Sequence, residues 1–504
     1  MFVREKRNKS GSVSIQIIDK SRGDYRVVKT VGSSTDPEEI NKLKQEAYRI
    51  IPALIGQTRI EFRSESTEGF IDKLKKVKTS QVQVIGPEKV FGKIFDEIGF
   101  DKIPSALFRH LVITRLISPG SKLKTVDYLE RYKGISIDIS KVYRFLDTLH
   151  KGLKEEVEQI AFEYTRTVLG GKISVVFYDM TTLYFESSDE DDLRITGFSK
   201  DGKSQNPQIL LGLLVGLHGY PIGYNIFEGN KYEGHTLISV LEYFRKRFNL
   251  TKPIVIADAG LLSKRNIKEL ISKQYGFILG ARIKNESEKI KEQILSLTLK
   301  EGECSMIRMP DNLRLVVCYS EKRAKKDLQN RERGLKRLEK NLRKGKLTKS
   351  HINNRGYNKY LKLEGNVKIE INYEKFEADK KWDGLKGYLT NTDLPTQGIV
   401  DNYNQLWQIE KAFRISKTDL KIRPIYHRIA KRIEAHICIA FASYTVYKEV
   451  ERRLKQKNTP LSPARVAELT KTMYALKIKI PETHQWEIIP LEWTDEQKLI
   501  TEIL

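Results

Sequence analysis

The stretch Ile173-Ser174-Val175-Val176-Phe177-Tyr178-Asp179 decides the fold. It is a short, nearly continuous apolar run, which is typical of a strand buried on both faces of a sheet, and it ends at an acidic residue. Residues 209–217 form a second apolar run, and the turn Gly219-Tyr220-Pro221 leads from it into a third at residues 222–227. The pattern predicts three consecutive strands, of which the first is central and buried.

Two further strands follow, each preceded by a helical stretch. Pro253-Ile254-Val255-Ile256-Ala257 ends at Asp258, and residues 277–281 form the fifth strand. In open sheets that contain parallel strands, sites gather at the carboxyl ends of the strands, where side chains face a crevice. We therefore predict an α/β domain with Asp179 and Asp258 at such a crevice, although a single Asp at a strand end is ordinarily a turn or cap residue.

A third acidic residue, Glu410, lies on a predicted helix from Tyr403 to Lys417. The apolar positions of this helix share one face, and Trp407 is expected to belong to that packed face. Glu410 and Lys417 lie close to the same face, two turns apart. Three convergent carboxylates are what two Mg²⁺ ions about 3.5–4 Å apart require to activate water and to stabilise a leaving 3′ oxygen. Glu410 and the two strand-end aspartates are therefore the candidate metal ligands.

The composition narrows the classes of protein. The 504 residues include 90 Lys and Arg against 65 Asp and Glu, a formal net charge of +25 that favours a polyanionic partner, either nucleic acid or an acidic membrane face. The N-terminus shows no apolar secretory signal, and no apolar run reaches the roughly 20 residues of a membrane helix. Three cysteines without a CxxC pair cannot build a disulfide framework, which suits a reducing cytoplasm. We expect no secreted, disulfide-stapled or membrane-spanning protein.

Two regions precede the predicted sheet. Residues 1–35 contain strand-like alternation, and Asp36-Pro37-Glu38-Glu39 is a strong helix start, followed by a basic linker at Lys73 to Lys78. From Gly86 to about Leu169 the apolar spacing is mostly helical. Small basic helical modules often dock on DNA, but the same spacing fits a purely structural bundle.

Residues from about 300 to 395 interrupt the sheet pattern with strand-like stretches and one very basic segment. In that segment, Lys322 to Lys349, 13 of 28 positions are Lys or Arg against three acids. A charge run is usually only a solvated face, but so few acids favour a helical hairpin that contacts phosphates. Lys336, Arg337 and Lys340 are its candidate DNA contacts.

The residues around the three acids resemble those of DDE transposases from bacterial insertion sequences. One group of these carries a Y-x2-R-x3-E-x6-K signature, which Tyr403, Glu410 and Lys417 match, while Leu406 stands at the Arg position. Four further runs look like the family's: Tyr178-Asp179-Met180-Thr181-Thr182, Ile256-Ala257-Asp258-Ala259-Gly260, Arg423-Pro424-Ile425-Tyr426-His427 and Arg432-Ile433-Glu434-Ala435-His436. The resemblance covers roughly residues 85–450.

The resemblance implies an α/β fold, with a ribonuclease H-like mixed-sheet catalytic core and a β-rich insertion between the second Asp and the Glu. The predicted regions are 1–85, an N-terminal β/α region expected to bind DNA; 86–170, a helical domain expected to bind transposon ends; 171–299 with 396–450, the catalytic domain; 300–395, the insertion with its basic hairpin; and 451–504, a C-terminal region for dimerisation. All three acids fall in the catalytic domain.

The resemblance also implies roles for single residues. Asp179, Asp258 and Glu410 would bind two Mg²⁺ ions, for which Mn²⁺ can substitute. Tyr403 and Lys417 would contact a terminal phosphate of the element. These roles are what the family motifs imply, and Leu406 puts in doubt only the contact that the signature Arg would make.

Two more residues are candidate DNA contacts. Arg414 lies on the helix of Glu410, between the acid and Lys417. Trp382 lies at the end of the insertion, where an aromatic residue of related enzymes stacks on a base that is flipped out while a hairpin forms. Ordinary packing is the alternative for Trp382.

The function that the resemblance implies is a cut-and-paste transposase, which nicks transposon ends by metal-dependent hydrolysis and transfers the 3′-OH strands to target DNA, with or without a hairpin intermediate. Its partner would be double-stranded DNA, bound by a homodimer on the nucleoid in the cytoplasm. The alternatives are a ribonuclease H-like nuclease and a non-catalytic DNA-binding protein derived from a transposase. A peripheral membrane protein is disfavoured because the basic segment has too few apolar residues.

Overall fold

The computed structural model describes residues 1–20, 23–54, 78, 81–353, 356–364, 368–479 and 485–504. The chain forms two compact units, Met1–Thr79 and Ser80–Leu504. The basic linker predicted at Lys73 to Lys78 falls outside the described residues except for Lys78.

The first unit is a small antiparallel sheet covered by one helix. Its elements are β1 (Phe2–Arg7), β2 (Val13–Asp19), β3 (Arg26–Ser34) and α1 (Pro37–Leu54), with β2 in the centre of the sheet. Ile15 and Ile17 of β2 pack against Ala47 of α1. Asp36 caps α1 as predicted, since its carboxylate accepts a hydrogen bond of 3.0 Å from the Glu38 N–H.

The second unit begins with a short strand and a set of helices, as the apolar spacing predicted. They are β4 (Val82–Val84), α2 (Lys93–Ile98), α3 (Ala106–Ile117), α4 (Lys122–Lys133), α5 (Ile139–Thr148) and α6 (Lys154–Val168). Ser105, Ser121 and Asp138 cap the starts of α3, α4 and α5 through side-chain oxygens. Such caps satisfy backbone N–H groups that have no partner within the helix.

A mixed sheet forms the centre of this unit. It begins with β5 (Val175–Tyr184), β6 (Gln208–Val215) and β7 (Pro221–Glu228), and continues through α7 (Leu237–Phe248), β8 (Ile254–Ala257), α8 (Lys264–Ser272) and β9 (Phe277–Ala281). The strand order is β7-β6-β5-β8-β9, antiparallel from β7 to β5 and parallel from β5 to β9. An antiparallel meander extended by two parallel strands is the ribonuclease H-like arrangement, so the predicted fold class is confirmed.

The first strand of the sheet is longer than its apolar run predicted. β5 continues through Asp179 because it pairs with β6 from Phe177, opposite Val215, to Tyr184, opposite Gln208. The parallel pairing of β5 with β8 extends only as far as Phe177. Asp179 therefore lies inside a strand, just beyond the parallel pairing, and the prediction that the strand ends there is wrong.

The insertion after β9 adds strands to the same sheet. Its elements are α9 (Glu288–Ser296), β10 (Cys304–Arg308), β11 (Arg314–Tyr319), α10 (Glu321–Arg343), β12 (Leu361–Glu364), β13 (Lys368–Ile371), α11 (Tyr373–Ala378) and β14 (Leu385–Thr390). β14, β11 and β10 follow β9 in the sheet, which has eight strands. Cys304 and Cys318 lie opposite each other on β10 and β11 and form a disulfide, a single link that the spacing of the three cysteines did not predict.

The basic segment forms one long helix and not the predicted hairpin. α10 runs for 23 residues, because no proline or turn pair interrupts it before Gly345. Leu338 of this helix is buried in a cluster with Tyr360 and Phe376 of the insertion. The helix is thus anchored along one apolar face, which leaves its basic residues on the other faces.

The chain then returns to the sheet through short helices. The remaining elements are α12 (Thr396–Asn404), α13 (Trp407–Arg414), α14 (Ala430–Gln456), α15 (Pro463–Thr470), β15 (Tyr474–Lys479), β16 (Trp486–Pro490) and α16 (Asp495–Ile503). The single helix predicted from Tyr403 to Lys417 is wrong, because i to i−3 hydrogen bonds at Gln405 and Leu406 interrupt it and a π-helical turn, Ile415–Asp419, follows α13. No helix in the described ranges is long and apolar enough to cross a membrane.

Candidate active site

Asp179 lies within β5, and Asp258 directly follows the neighbouring strand β8. β5 and β8 pair in parallel, with Val175 opposite Ile254 and Phe177 opposite Ile256. Asp179 and Asp258 each lie two residues beyond the last pair of this register, Phe177 and Ile256. Opposite residues of a parallel pair point to the same face, and adjacent strands lie about 4.8 Å apart. The fold brings these two carboxylates close enough for the charge of Asp258 to raise the pKa of Asp179.

Asp179 lies in a partly enclosed and charged environment. Its carboxylate is 3.9 Å from Nζ of Lys200, which also lies 2.9 Å from a carboxylate oxygen of Glu233 and donates to the Met180 carbonyl at 2.6 Å. Burial raises the pKa of Asp179 to about 6, against the opposing effects of Lys200 and of the Met180 N–H, and the charges of Asp258 and Glu233 raise it further. A divalent cation would relieve this excess of negative charge.

Tyr403 is packed onto the sheet beside Asp258. The residue of β9 in register with Asp258 is Gly280, and a Cβ atom there would lie 2.4 Å from the Tyr403 hydroxyl. Tyr403 is buried, with its ring centre 4.7 Å from that of Tyr388 on β14. Burial raises the pKa of Tyr403, and the neighbouring negative charges of Asp258 and Glu410 add to the effect. Glycine at position 280 thus gives the Tyr403 hydroxyl room to approach the sheet.

Glu410 lies near Tyr403 but is exposed on the first turn of α13. Its negative charge acts on the pKa of both Tyr403 and Lys386. Lys386 was not predicted; its Nζ lies 4.6 Å from the Tyr403 ring centre. Among the described residues, no three His, Cys, Asp or Glu side chains form a group that could hold a metal ion. Carboxylate oxygens are the type of ligand that Mg²⁺ prefers, but the three acids do not lie close enough together to form a complete coordination site.

Lys417 is held near β5 by an acidic residue that was not predicted. Nζ of Lys417 lies 3.3 Å from Oδ2 of Asp201, which also forms an ion pair with Arg423 and accepts a hydrogen bond of 3.4 Å from the Thr182 hydroxyl. Thr182 lies on β5 three residues after Asp179. Burial lowers the pKa of Lys417, and the charge of Arg423 lowers it further. Arg414 is exposed at the end of α13.

Trp382 lines a cavity of about 590 Å³ between the insertion and the ends of β9 and β14. The indole is 8% exposed and packs in a cluster with Ile283 and Leu315, so one side of it has a structural role. Arg331 and Lys386 line the same cavity. Trp382 therefore both packs within the insertion and forms part of the cavity wall.

Trp407 and the candidate contacts of the basic segment are exposed. Trp407 is 49% exposed, so the prediction that it packs in the core is wrong; the break before α13 turns it outward, where Nζ of Lys411 lies 5.7 Å from its ring centre. Lys336, Arg337 and Lys340 are exposed on α10, and none of them pairs with a carboxylate in the part of the chain that the structure describes. The exposed face of α10 is therefore strongly cationic.

Three charged residues of the site were not predicted, because their polar surroundings match no motif: Lys200 and Asp201 lie in a loop, and Glu233 begins a short 3₁₀ turn. Lys200 and Asp201 follow the irregular stretch after β5, and Glu233 follows β7 by five residues. Their position in the sequence could have identified them, since the loops that follow the strands of a sheet border its crevice.

The chain belongs to the family of transposases with a DDE domain, whose family model matches residues 170–446. The protein is therefore a transposase of the DDE class, a class whose enzymes generally use a divalent metal ion. A comparison with curated protein sequences gave no match.

Two solved structures show a distant similarity to the chain. One is the piggyBac transposase synaptic complex with hairpin DNA, with 11% identity, 76% of each chain covered and a TM-score of 0.40. The other is the Mos1 transposase paired-end complex with the left transposon end, with 10% identity, 46% of this chain and 71% of that chain covered, and a TM-score of 0.16. Membership of the family rests on the match to the DDE domain.

Proposed function

We propose that this protein is a cut-and-paste transposase, which hydrolyses a phosphodiester bond at each transposon end and transfers the freed 3′-OH strands to target DNA. The observation that supports the proposal is the parallel pairing of β5 with β8, which ends two residues before Asp179 and Asp258, together with the effect of the Asp258 charge on the pKa of Asp179. Two adjacent carboxylates on a rigid sheet, in a chain of net charge +25, suit the cleavage of a polyanion.

The metal ligands in this proposal are Asp179, Asp258 and Glu410, with Mg²⁺ as the ion and Mn²⁺ as its substitute. When bound, two such ions activate water and stabilise the leaving 3′ oxygen. The strand aspartates supply fixed oxygen donors, and Glu410 approaches from the side of Tyr403. Lys200 balances part of the charge of Asp179 in the absence of metal.

The terminal phosphate in this proposal is bound by Tyr403, Lys417 and Arg414. Asp201 holds Lys417 in place, and a DNA phosphate would compete with Asp201 for that ammonium group. The position of the signature Arg is filled by Leu406, which is buried and cannot contact a phosphate. We assign that contact to Lys386, because its Nζ lies over the Tyr403 ring.

The insertion and the flanking regions complete the DNA-binding surface in this proposal. Lys336, Arg337 and Lys340 contact backbone phosphates, and Trp382 stacks on a base flipped into the cavity of about 590 Å³ while a hairpin forms. Residues 1–85 and 86–170 bind DNA, and residues 451–504 support a homodimer that brings two ends together. The protein acts on nucleoid DNA in the cytoplasm.

A cleavage assay tests the proposal. The substrate is a labelled duplex that ends at the inverted repeat flanking the coding DNA, with Mg²⁺ or Mn²⁺ present. Asp179→Ala, Asp258→Ala and Glu410→Ala should each abolish cleavage and leave DNA binding nearly intact, whereas Asp101→Ala, an exposed acid elsewhere, should retain both. Cleavage near the wild-type rate by any of the three variants would refute the assignment. Nicking without joining to a second duplex would indicate a nuclease instead.

A further inference from the structure

A second pocket, away from the metal ligands, lies between the helical region and the segment after α13. Its volume is about 440 Å³. The residues that define it are Ser121, Lys122, Tyr143, Lys421, Arg423 and His427. Among the described residues that line this pocket, every charged side chain is basic and none is acidic.

Lys122 is the unusual member of this pocket. It is 4% exposed, and its ammonium group forms no hydrogen bond or ion pair in the described part of the chain. Burial lowers the pKa of Lys122, and the charge of Arg115 lowers it further. A buried amine with no acidic partner favours its neutral form, and an anion bound beside it would favour the charged ammonium form instead.

The wall behind Lys122 also provides positive charge and no acid. Arg115 donates a hydrogen bond of 2.9 Å to the Leu420 carbonyl and lies 3.4 Å from Nδ1 of His436. Nε2 of His436 lies 3.0 Å from the Ile422 carbonyl oxygen, which assigns the proton to Nε2 and leaves Nδ1 as the acceptor. Burial lowers the pKa of His436, so this wall carries the charge of Arg115 alone.

The nearest acid on α5 is already neutralised. Asp147 accepts two hydrogen bonds from Arg432, of 2.8 and 3.0 Å, and lies 3.5 Å from Nζ of Lys431. It therefore has little capacity to compensate Lys122. The first turn of α4, a helix of 12 residues, also lines the pocket, and the positive end of a helix dipole favours an anion there.

We infer that this pocket binds a phosphate group of the DNA backbone, with Lys122 as its central contact. The inference rests on the proposed function for the source of the phosphate. Arg423 connects the two sites, since it lines the pocket and also pairs with Asp201, the residue that holds Lys417. A strand that leaves the active site past Lys417 thus meets this pocket next.

The first experiment uses inorganic phosphate as the probe and thermal unfolding as the readout. Phosphate should raise the Tm of the wild-type protein above that in chloride of equal ionic strength. Lys122→Met, which replaces the ammonium by an apolar group of similar length, should remove this increase. Lys421→Gln, a change at the exposed rim, should reduce it, and Lys102→Gln, an exposed lysine outside the pocket, should leave it unchanged. No increase in the wild-type Tm would overturn the anion site.

The second experiment tests DNA as the source of the phosphate. Binding of the end duplex is measured over a range of salt concentrations, where the removal of one phosphate-binding cation should reduce the slope of log K against log salt by roughly 0.9. Lys122→Met should show this reduction and bind roughly tenfold more weakly, and Lys102→Gln should match the wild type. Phosphate could still raise the Tm of the wild type while the salt slope of Lys122→Met stays unchanged. That combination would overturn the DNA assignment and indicate a free anion as the ligand. Failure of the wild type to cleave DNA would refute the proposed function. The thermal-unfolding result would then still decide whether the pocket binds an anion.

Discussion

Asp179 lies 79 positions before Asp258, and the same interval separates the residues that pair β5 with β8, such as Val175 and Ile254. Both aspartates follow the last paired positions of these strands, Phe177 and Ile256, so the parallel pairing holds the segments that carry them side by side. Side chains carried by such a rigid frame lose little freedom when they bind a metal ion. The same frame holds two negative charges together when no metal is bound.

Asp179→Asn is expected to stabilise the metal-free protein near pH 7 and to abolish cleavage. The pKa of Asp179 is raised by burial from 3.8 to about 6, so folding favours the protonated carboxyl group. This contribution is fully present below about pH 3.8 and is lost as the pH rises through about 6. The difference in Tm between the variant and the wild type should therefore grow from about pH 4 to about pH 7.

The control for that experiment is Asp258→Asn. Asp258 is exposed, so its replacement should change the Tm less while cleavage is still lost. Thermal melts in the presence of a chelator, at a series of pH values, provide the measurement. A Tm difference for Asp179→Asn that does not vary with pH would contradict the prediction.

Gly280→Ala is expected to impair cleavage by displacing Tyr403. The added methyl group would lie 2.4 Å from the Tyr403 hydroxyl and 3.0 Å from the Ala259 nitrogen. Overpacking of this kind costs about 1–3 kcal/mol of unfolding free energy. Combining it with Tyr403→Phe, which removes the nearest atom, should recover part of the stability lost. Chemical denaturation of the two single variants and the double variant measures this, and strictly additive effects would contradict the contact.

Neutralising the exposed face of α10 is expected to weaken DNA binding regardless of sequence. With Lys336, Arg337 and Lys340 all changed to Gln, the salt slope should fall by roughly 0.9 for each phosphate that the helix no longer neutralises. The matched control changes three exposed lysines elsewhere, Lys172, Lys268 and Lys289, to Gln. If both triple variants bind alike, α10 is only a solvated surface.

Trp382→Phe is expected to spare nicking of the first strand and to slow the later step. Phenylalanine retains much of the packing against Ile283 and Leu315 but offers a smaller surface for a flipped base. Stacking contributes roughly 1–3 kcal/mol per base, so its partial loss should slow that step by up to about tenfold to a hundredfold. Lys417→Ala should harm both steps. Nicked, hairpin and released products are resolved on a denaturing gel over time, and equal loss of both steps in Trp382→Phe would make its role structural.

The sequence allowed the strands of the core to be predicted because each is a local apolar run. Residues 277–281 form a strand with the predicted limits, and Asp258 directly follows β8 as expected. The length of β5 was not predictable in this way, since Asp179 is kept in the strand by pairing with β6, a partner some 30 residues distant.

The site was only partly predictable for the same reason. Spacing made Glu410 and Lys417 candidates, but it assumed one straight helix, and the break at Leu406 turned Trp407 to the surface. Lys200 lies near Asp179, and Asp201 pairs with Lys417. Both contacts join residues that are distant in sequence or match no motif, so a linear pattern does not predict them. The motifs thus indicated the acidic residues of the site, whereas the residues that balance their charge lie in loops that match no motif.

The place of β14 in the sheet has a consequence for how the enzyme handles its substrate. β14 is hydrogen bonded to β9 on one side and to β11 on the other, so the insertion is a continuation of the catalytic sheet. A module built in this way cannot swing over the site like a hinged lid without breaking a row of backbone hydrogen bonds. The protein would thus act as a stiff template, and the DNA would have to bend and unstack its bases to fit the site.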